Sequence, residues 1–228
     1  MNQRWMESYQ KVEMAIKRES PDLFELVTKF LSARPIQQHW AEAPASTAVR
    51  FHHARAGGLR DHSQEVIGVM ALVAQAIPSS GVSFTELYLA GLLHDIHKAC
   101  DPVGRACFIP NILKSGKRSD AIPFQKNAAL YNMARKDNDP AARFQEVLTS
   151  DYEYLPDGSL SLALIFAYAP ELHAALSENV RSAIIFHDGA YGKARRNLAG
   201  HETPLQMLLH FADMWSSHSD TGAIPDAV

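Results

Sequence analysis

The sequence predicts an all-α domain built from several helices. Apolar residues recur at three- and four-residue spacing in several segments, and residues that favour helix starts precede several of these segments. No run of alternating apolar and polar residues is long enough to predict a sheet. The chain has 228 residues, of which 46% are hydrophobic, so it can bury a sizeable core in one domain.

The N-terminal part is predicted to contain two helices and a connector. Apolar residues are spaced for a modest helix over residues 3–18. The Ser-Pro-Asp sequence at residues 20–22 is typical of a stop followed by a new helix, and an apolar stripe continues over residues 23–31. Two prolines between residues 33 and 50 predict a surface connector. We therefore assign residues 1–49 to an N-terminal helical extension and connector.

A glycine-containing segment, FHHARAGGLRDH, precedes the next predicted helix. Its two glycines permit a tight turn and close approach of a ligand. A helix is predicted to begin near His62, because apolar residues recur at helical spacing after it. Exposed backbone N–H groups at that start, with Arg55 nearby, would suit a phosphate; a glycine turn with a solvated arginine is the alternative. His52 and His53 carry no assignment.

The stretch LAGLLHDIHKAC, residues 89–100, places an apolar run directly before a group of ionisable residues. A helix is predicted to begin at Ser83, with Glu86 completing a capping box. This helix would deliver His94 to its end, followed closely by Asp95 and Lys98. Taken alone, the pattern is equally compatible with a core helix whose last turn meets water.

A late helix is predicted in TPLQMLLHFADMW, with Thr203 as N-cap and Pro204 at its first position. Asp213 lies inside this apolar run. Burying a carboxylate costs several kcal/mol unless it is paired or bound to a cation, and a metal would be such a partner. The candidate metal ligands therefore come from three separate segments: His62, His94, Asp95 and Asp213.

These residues resemble the H…HD…D signature of the HD-domain metal-dependent phosphohydrolases. The stretches HHARAGGLRDHSQEV and AGLLHDIHK are especially similar to the branch that includes 3′–5′ exoribonucleases and relaxase-associated HD domains, which often read GGL-x-x-H and HDIGK. The resemblance covers residues 50–218, leaving residues 219–228 as a polar tail. One departure is His97, which replaces the usual glycine and could add a ligand, crowd the site or point away.

The resemblance implies an HD-domain helical bundle that cleaves a phosphoester or phosphoanhydride by attack of a water activated by the metal. Two imidazoles and two carboxylates suit Mn²⁺, Fe²⁺, Co²⁺, Ni²⁺ or Mg²⁺ with open positions better than a closed structural zinc site. Lys98 would offset charge in the transition state. His187 is a candidate for a catalytic role, since several HD enzymes place additional histidines there that serve a second metal or the substrate. The general acid stays open among His187, His97 and a second water.

Three functions are compatible with this site. A phosphohydrolase acting on a nucleoside mono- or triphosphate is preferred, a 3′–5′ nuclease acting on single-stranded nucleic acid is the first alternative, and a nucleotide-sensing HD domain without turnover is the second. Arg55, Lys98, Arg195 and Arg196 are the predicted substrate contacts. A second copy of the chain is also open as a partner.

The rest of the chain is less informative. Residues 101–140 contain many prolines and glycines and predict loops, including a basic cluster at residues 114–118 that does not match a phosphate-binding loop. Residues 141–150 and 160–176 are predicted as helical, with a turn at residues 156–158 between them. Ser177 is predicted to cap the following helix.

Composition limits the alternatives. A net charge of −3 and a pI near 6.4 argue against a protein that coats nucleic acid indiscriminately. Cys100 and Cys107 match neither a redox pair nor a zinc finger, and we expect reduced thiols in a cytoplasmic protein. The first residues lack the apolar region of a signal peptide, and residues 160–169 are too few to span a bilayer, so no membrane association is expected.

Overall fold

The computed structural model describes residues 3–49, 52–127, 131–135, 144–148, 157–189 and 200–219, with backbone only for 131–135 and 144–148. These residues are mostly helical, which confirms the predicted helical character of the chain. The helices are α1 (Gln3–Glu19), α2 (Pro21–Leu31), α3 (Arg34–Glu42), α4 (Gly58–Ala76), α5 (Phe84–Leu93), α6 (Asp157–Tyr168), α7 (Pro170–Ala175), α8 (Glu178–Ile185) and α9 (Pro204–Ser219). Single 3-10 turns cover Pro78–Ser80 and Ile96–Lys98.

Helix α4 lies at the centre of the fold and packs against α1, α5 and α9. Most of its length is buried on all sides, as expected for a helix inside a core rather than on its surface. Its buried residues include the polar side chains of His62, Ser63 and Glu65. Burying a polar side chain costs free energy unless it forms a hydrogen bond, so these three residues are expected to have partners at the centre of the bundle.

Two glycines allow the neighbouring helices to approach α4 closely. A β-carbon at Gly91 of α5 would lie 2.6 Å from Ile67 Cγ1 on α4, and one at Gly68 would overlap the backbone oxygen of Trp5 on α1. Any side chain at these positions would push the helices apart. Gly91 therefore holds the end of α5, three residues before His94, close against α4.

The predicted helix starts are confirmed at three positions. Ser83 and Glu86 form the full capping box at α5, and Ser177 accepts a hydrogen bond from the backbone N–H of Val180 at α8. At α9, the hydroxyl of Thr203 accepts from the Gln206 N–H at 3.3 Å, and the Gln206 side chain accepts from the Thr203 N–H at 2.7 Å. These caps fix the helices that carry His94 and Asp213.

Two helix predictions near the N-terminus are wrong. Residues 33–50 are not simply a connector, because α3 occupies Arg34–Glu42. Pro35 lies in its first turn, where proline's missing N–H and fixed φ favour a helix start instead of breaking one. Helix α4 begins at Gly58 and not near His62, so His62 lies in its second turn.

The prediction of no sheet is also wrong. Strands β1 (Phe108–Pro110) and β2 (Phe124–Lys126) form one antiparallel pair, and β3 (Tyr131–Arg135) and β4 (Phe144–Leu148) form another. In the second pair Tyr131 lies opposite Leu148 and Arg135 opposite Phe144. Strands this short carry too few residues for an alternating pattern to stand out.

The region after residue 140 differs from the prediction in two further ways. Part of residues 141–150, predicted as helical, forms β4, and the predicted turn at residues 156–158 is occupied from Asp157 by α6. The prediction that residues 160–176 are helical is confirmed by α6 and α7, the latter starting at Pro170. Among the described helices, none combines the length and apolar character needed to cross a membrane.

Candidate metal centre

The four predicted ligands converge from three helices. His62 lies on α4, His94 directly follows α5 with Asp95 next to it, and Asp213 lies on α9. The two histidines are completely buried, Asp95 is 2% exposed, and the Asp213 side chain is 19% exposed. Asp213 is therefore the most exposed of the four side chains.

The ligand atoms of this cluster face one another at short range. His62 Nε2 lies 3.3 Å from His94 Nε2, 3.1 Å from Asp213 Oδ1 and 3.7 Å from Asp95 Oδ2. His94 Nε2 lies 3.5 Å from Asp95 Oδ2 and 3.8 Å from Asp213 Oδ1. One ligand atom from each residue lies within 4.8 Å of all the others.

These separations fit a metal ion. Ligand atoms about 2.1 Å from a common ion are about 3.0 Å apart at right angles and about 4.2 Å apart when opposite each other. The observed nitrogen and oxygen distances fall between these two values. Two imidazole nitrogens and two carboxylate oxygens could therefore surround one divalent cation without rearrangement of the helices.

The hydrogen bonds of the ring nitrogens favour the same conclusion. His94 Nδ1 lies 2.9 Å from the Gly91 carbonyl and His62 Nδ1 lies 2.9 Å from Ser216 Oγ. A carbonyl only accepts, so Nδ1 of His94 carries the proton in the neutral ring and its Nε2 keeps a lone pair. A histidine that bonds a metal commonly has its other ring nitrogen occupied in this way.

Both carboxylates remain ionised. Burial alone would raise the pKa of Asp95, but Lys98 and His94 hold it well below its usual range. Burial opposes the charge of Asp213 too, but the neighbouring His62 and His94 lower its pKa well below the ordinary value. The ionised form is the one that bonds a metal.

Burial lowers the pKa of His62, which keeps that ring neutral near pH 7. The neutral imidazole is the metal-binding form.

Lys98 and His187 border the cluster. Lys98 Nζ lies 2.5 Å from Asp95 Oδ2, and its side chain is 23% exposed. His187 follows α8, with its Nε2 3.6 Å from Asp95 Oδ1 and 3.6 Å from Asp188 Oδ1. Burial opposes protonation of His187, but Asp95 outweighs this and raises its pKa to about 10. His187, Asp188 and Asp213 also form a second group with metal-binding geometry.

His97 is not among the residues whose ligand atoms form the cluster. Its backbone N–H and its Nδ1 both contact Ser161 Oγ on α6, at 3.3 and 2.9 Å. Ser161 in turn donates to the His94 carbonyl at 2.6 Å. The Ser161 hydroxyl thus stabilises the turn after α5 that contains His94 and Asp95. His97 contributes to the same hydrogen bonds through its Nδ1.

We expect His97→Gly to keep the metal, because the four ligands are complete without His97. Glycine also retains the backbone N–H that contacts Ser161. Elemental analysis of the purified variant measures this directly. Loss of tightly bound metal from a variant with normal circular dichroism would show that His97 is itself a ligand.

The other predicted site residues have mixed outcomes. Arg55 forms an ion pair with Asp61. The first amides of α4 are used within the protein, since the Gly58 N–H donates to the Arg55 carbonyl and the Leu59 N–H to that of Ala43. They are therefore not available to a phosphate, and Arg55 as a substrate contact stays a prediction. Arg195 and Arg196 lie outside the described residues.

His52 and His53, unassigned from the sequence, lie beside the cluster. The His52 ring centroid is 4.7 Å from that of His62, and burial lowers the pKa of His52 to about 2. His53 Nε2 lies 2.8 Å from Glu65 Oε2. Both rings are thus part of the packing behind His62.

Three polar residues behind the ligands were missed from the sequence: Glu65, Ser161 and Ser216. A carboxylate at position 65, inside the apolar pattern of α4, is the same signal that drew attention to Asp213. The serines gave no such signal, because serine is common at both buried and exposed helix positions.

No protein-family model matches the chain, and no curated protein or solved structure is significantly similar to it. The resemblance to HD-domain phosphohydrolases therefore rests on the sequence motifs alone.

Proposed function

We propose that the chain is a metal-dependent phosphohydrolase of the HD type that cleaves a phosphoester or phosphoanhydride of a nucleotide. The observation that carries the proposal is the convergence of His62, His94, Asp95 and Asp213 from three helices, with separations that suit one divalent ion. Core packing alone gives no reason for two imidazoles and two carboxylates to meet inside a helical bundle, because each must lose its water.

The ion implied by this site is Mn²⁺, Fe²⁺, Co²⁺, Ni²⁺ or Mg²⁺. When bound, such an ion polarises a phosphoryl oxygen and lowers the pKa of a coordinated water. The chain's own part is to hold the ion with the four ligands and to leave the partly exposed side of Asp213 open for substrate.

Lys98 and His187 supply the remaining chemistry in this proposal. Lys98 contacts Asp95 yet keeps a partly exposed side chain, so its ammonium group can approach a phosphoryl oxygen as negative charge increases there. His187 Nε2 lies 3.6 Å from Asp95 Oδ1, and Asp95 raises the pKa of His187. With a proton on Nε2, the ring at the edge of the cluster would be placed to give that proton to a leaving oxygen as general acid.

The alternatives differ in what they require. A 3′–5′ nuclease must hold a strand along several phosphates, and a net charge of −3 favours a small substrate over a polymer. A sensor without turnover has no need of a partly open metal centre. The nucleotide phosphohydrolase is preferred for these reasons.

The test is hydrolysis by the purified chain with Mn²⁺, Fe²⁺, Co²⁺, Ni²⁺ or Mg²⁺ in turn, against nucleoside mono- and triphosphates and a single-stranded oligonucleotide. We expect metal-dependent release of phosphate or pyrophosphate from a nucleotide, abolished by a chelator. A chain that binds a divalent ion yet cleaves none of these substrates would contradict the proposal and favour a sensor.

Salt dependence separates a nucleotide from a polymer. Binding of a single strand should weaken with a log–log slope of roughly −0.7 per neutralised phosphate, whereas a mononucleotide should show a shallow dependence. We expect a shallow slope, and a larger loss of nucleotide affinity on replacing Arg55 or Lys98 than on neutralising Arg195 and Arg196 together. Tight oligonucleotide binding that collapses with salt and is lost in the Arg195/Arg196 double variant would move the assignment to a nuclease.

A further inference from the structure

The Nδ1 atoms of the histidines around the cluster have hydrogen-bond partners of two different kinds. His94 and His187 each follow the last turn of a helix, where carbonyls lack intrahelical partners, and each contacts the carbonyl three residues earlier. His62 lies in the second turn of α4, where the carbonyls accept from the next turn. His62 therefore needs an acceptor from a side chain.

Ser216 on α9 provides that acceptor. Its Oγ lies 2.9 Å from His62 Nδ1 and donates its own proton to Glu65 Oε2 at 2.9 Å. A hydroxyl has one proton, so the bond to Glu65 leaves only lone pairs for His62. Nδ1 of His62 must then be the protonated nitrogen, and Nε2 keeps its lone pair toward Asp213 and His94.

Glu65 fixes the direction of the serine hydroxyl. It is 6% exposed, and the same oxygen that accepts from Ser216 also contacts His53 Nε2 at 2.8 Å. A carboxylate only accepts hydrogen bonds, so both neighbours donate to it. His53 itself has a left-handed backbone with φ of 47°, an unusual conformation for a residue with a side chain, which places its ring against Glu65.

The arrangement joins α4 and α9 twice along their lengths. Glu65 lies three residues after His62 on α4, and Ser216 lies three residues after Asp213 on α9, so each pair shares one helix face. His62 meets Asp213 on the side of the cluster, and Glu65 meets Ser216 behind it. The three hydrogen bonds that link His62, Ser216, Glu65 and His53 are all buried, so water does not compete for them.

We propose that Glu65 and Ser216 are positioning residues that hold His62 in the Nδ1-protonated tautomer and thereby keep its Nε2 available to a divalent cation. This deepens the proposed function, since it rests on a metal at the four-ligand cluster. In the opposite tautomer a proton on Nε2 would face Asp213 and exclude the ion. Partners behind a metal-bound histidine typically change metal affinity by roughly 10- to 100-fold when removed.

The experiment uses the full chain with ¹⁵N-labelled histidine, after treatment with a chelator. Long-range ¹H–¹⁵N correlation spectra report which nitrogen of a neutral imidazole carries the proton, and a His62→Asn variant assigns the signal. We expect Nδ1 to be protonated in the wild type. Ser216→Ala should lose this preference, and its affinity for Mn²⁺, measured by calorimetry, should fall by roughly 10- to 100-fold.

Ser63→Ala is the matched control. Ser63 is also a completely buried serine, lies next to His62 on α4, and its hydroxyl has no hydrogen-bond partner among the described residues. It should keep both the tautomer and the Mn²⁺ affinity. Glu65→Gln is a second variant, which keeps the shape of the side chain but replaces the carboxylate that accepts from the Ser216 hydroxyl. We expect it to weaken the preference of His62 for the Nδ1-protonated tautomer and the affinity for Mn²⁺ as well.

A wild-type His62 protonated on Nε2 would overturn the inference, as would Ser216→Ala and Glu65→Gln variants with unchanged tautomer and Mn²⁺ affinity. A wild-type chain that shows the Nδ1 tautomer, loses it in Ser216→Ala, and yet binds no divalent ion would contradict the proposed function instead. The tautomer measurement needs no metal, so the two failures are distinguishable.

Discussion

Asp213→Asn should remove the tightly bound metal and lower kcat/KM by about 1000-fold or more, since a metal contributes several kcal/mol to stabilising the transition state. Asp213 Oδ1 lies 3.1 Å from His62 Nε2, so the carboxylate completes the cluster from α9. Asparagine keeps the shape of the side chain but loses its charge. Metal content by elemental analysis and hydrolysis of the best nucleotide substrate are the two measurements, and circular dichroism should show unchanged helix content.

The matched control is Asp120→Asn, because Asp120 is an exposed aspartate in a loop and is not part of the cluster. It should change neither metal content nor hydrolysis. We expect His62→Ala and Asp95→Ala to behave as Asp213→Asn does. If all three cluster variants fold normally and remain active, the metal-hydrolase assignment fails.

The convergence of the four residues could be predicted in part because two of them had a local signal in the sequence. Asp213 was an acid in an apolar helix, and His94 ended a helix with a recognisable capping box at Ser83 and Glu86, which the structure contains. Helical spacing and capping are local properties of the chain, so they can be read from neighbouring residues. The convergence of the ligands was an inference from this chemistry together with a family resemblance.

What the sequence could not predict depends on contacts between distant segments. Ser216 and Glu65 are separated by 151 positions, and no spacing rule relates them. His97 contacts Ser161, which lies 64 positions away on α6. The short strands were missed for a different reason: β1 has only three residues and is stabilised by pairing with β2, so its own sequence carries little information.

Replacing Lys98 is expected to separate the effect on metal binding from the effect on catalysis most clearly. Its ammonium nitrogen lies 2.5 Å from Asp95 Oδ2, yet the side chain is 23% exposed, so it lies at the edge of the cluster and not inside it. An ammonium group has no lone pair and cannot be a metal ligand. It can, however, stabilise negative charge on a phosphoryl group held next to Asp95.

We therefore expect Lys98→Met to keep its divalent ion while kcat falls by about 100-fold or more, the usual scale for removing one group that stabilises transition-state charge. Removing a positive charge beside Asp95 also removes a competitor for its carboxylate, so metal affinity should be equal or higher. Lys17→Met is the control, because Lys17 makes the same kind of pair with Glu13 on the exposed face of α1. A Lys98→Met variant that loses its metal and its activity together would show that the lysine maintains the cluster, and one with full activity would show that Lys98 pairs with Asp95 without acting on the substrate.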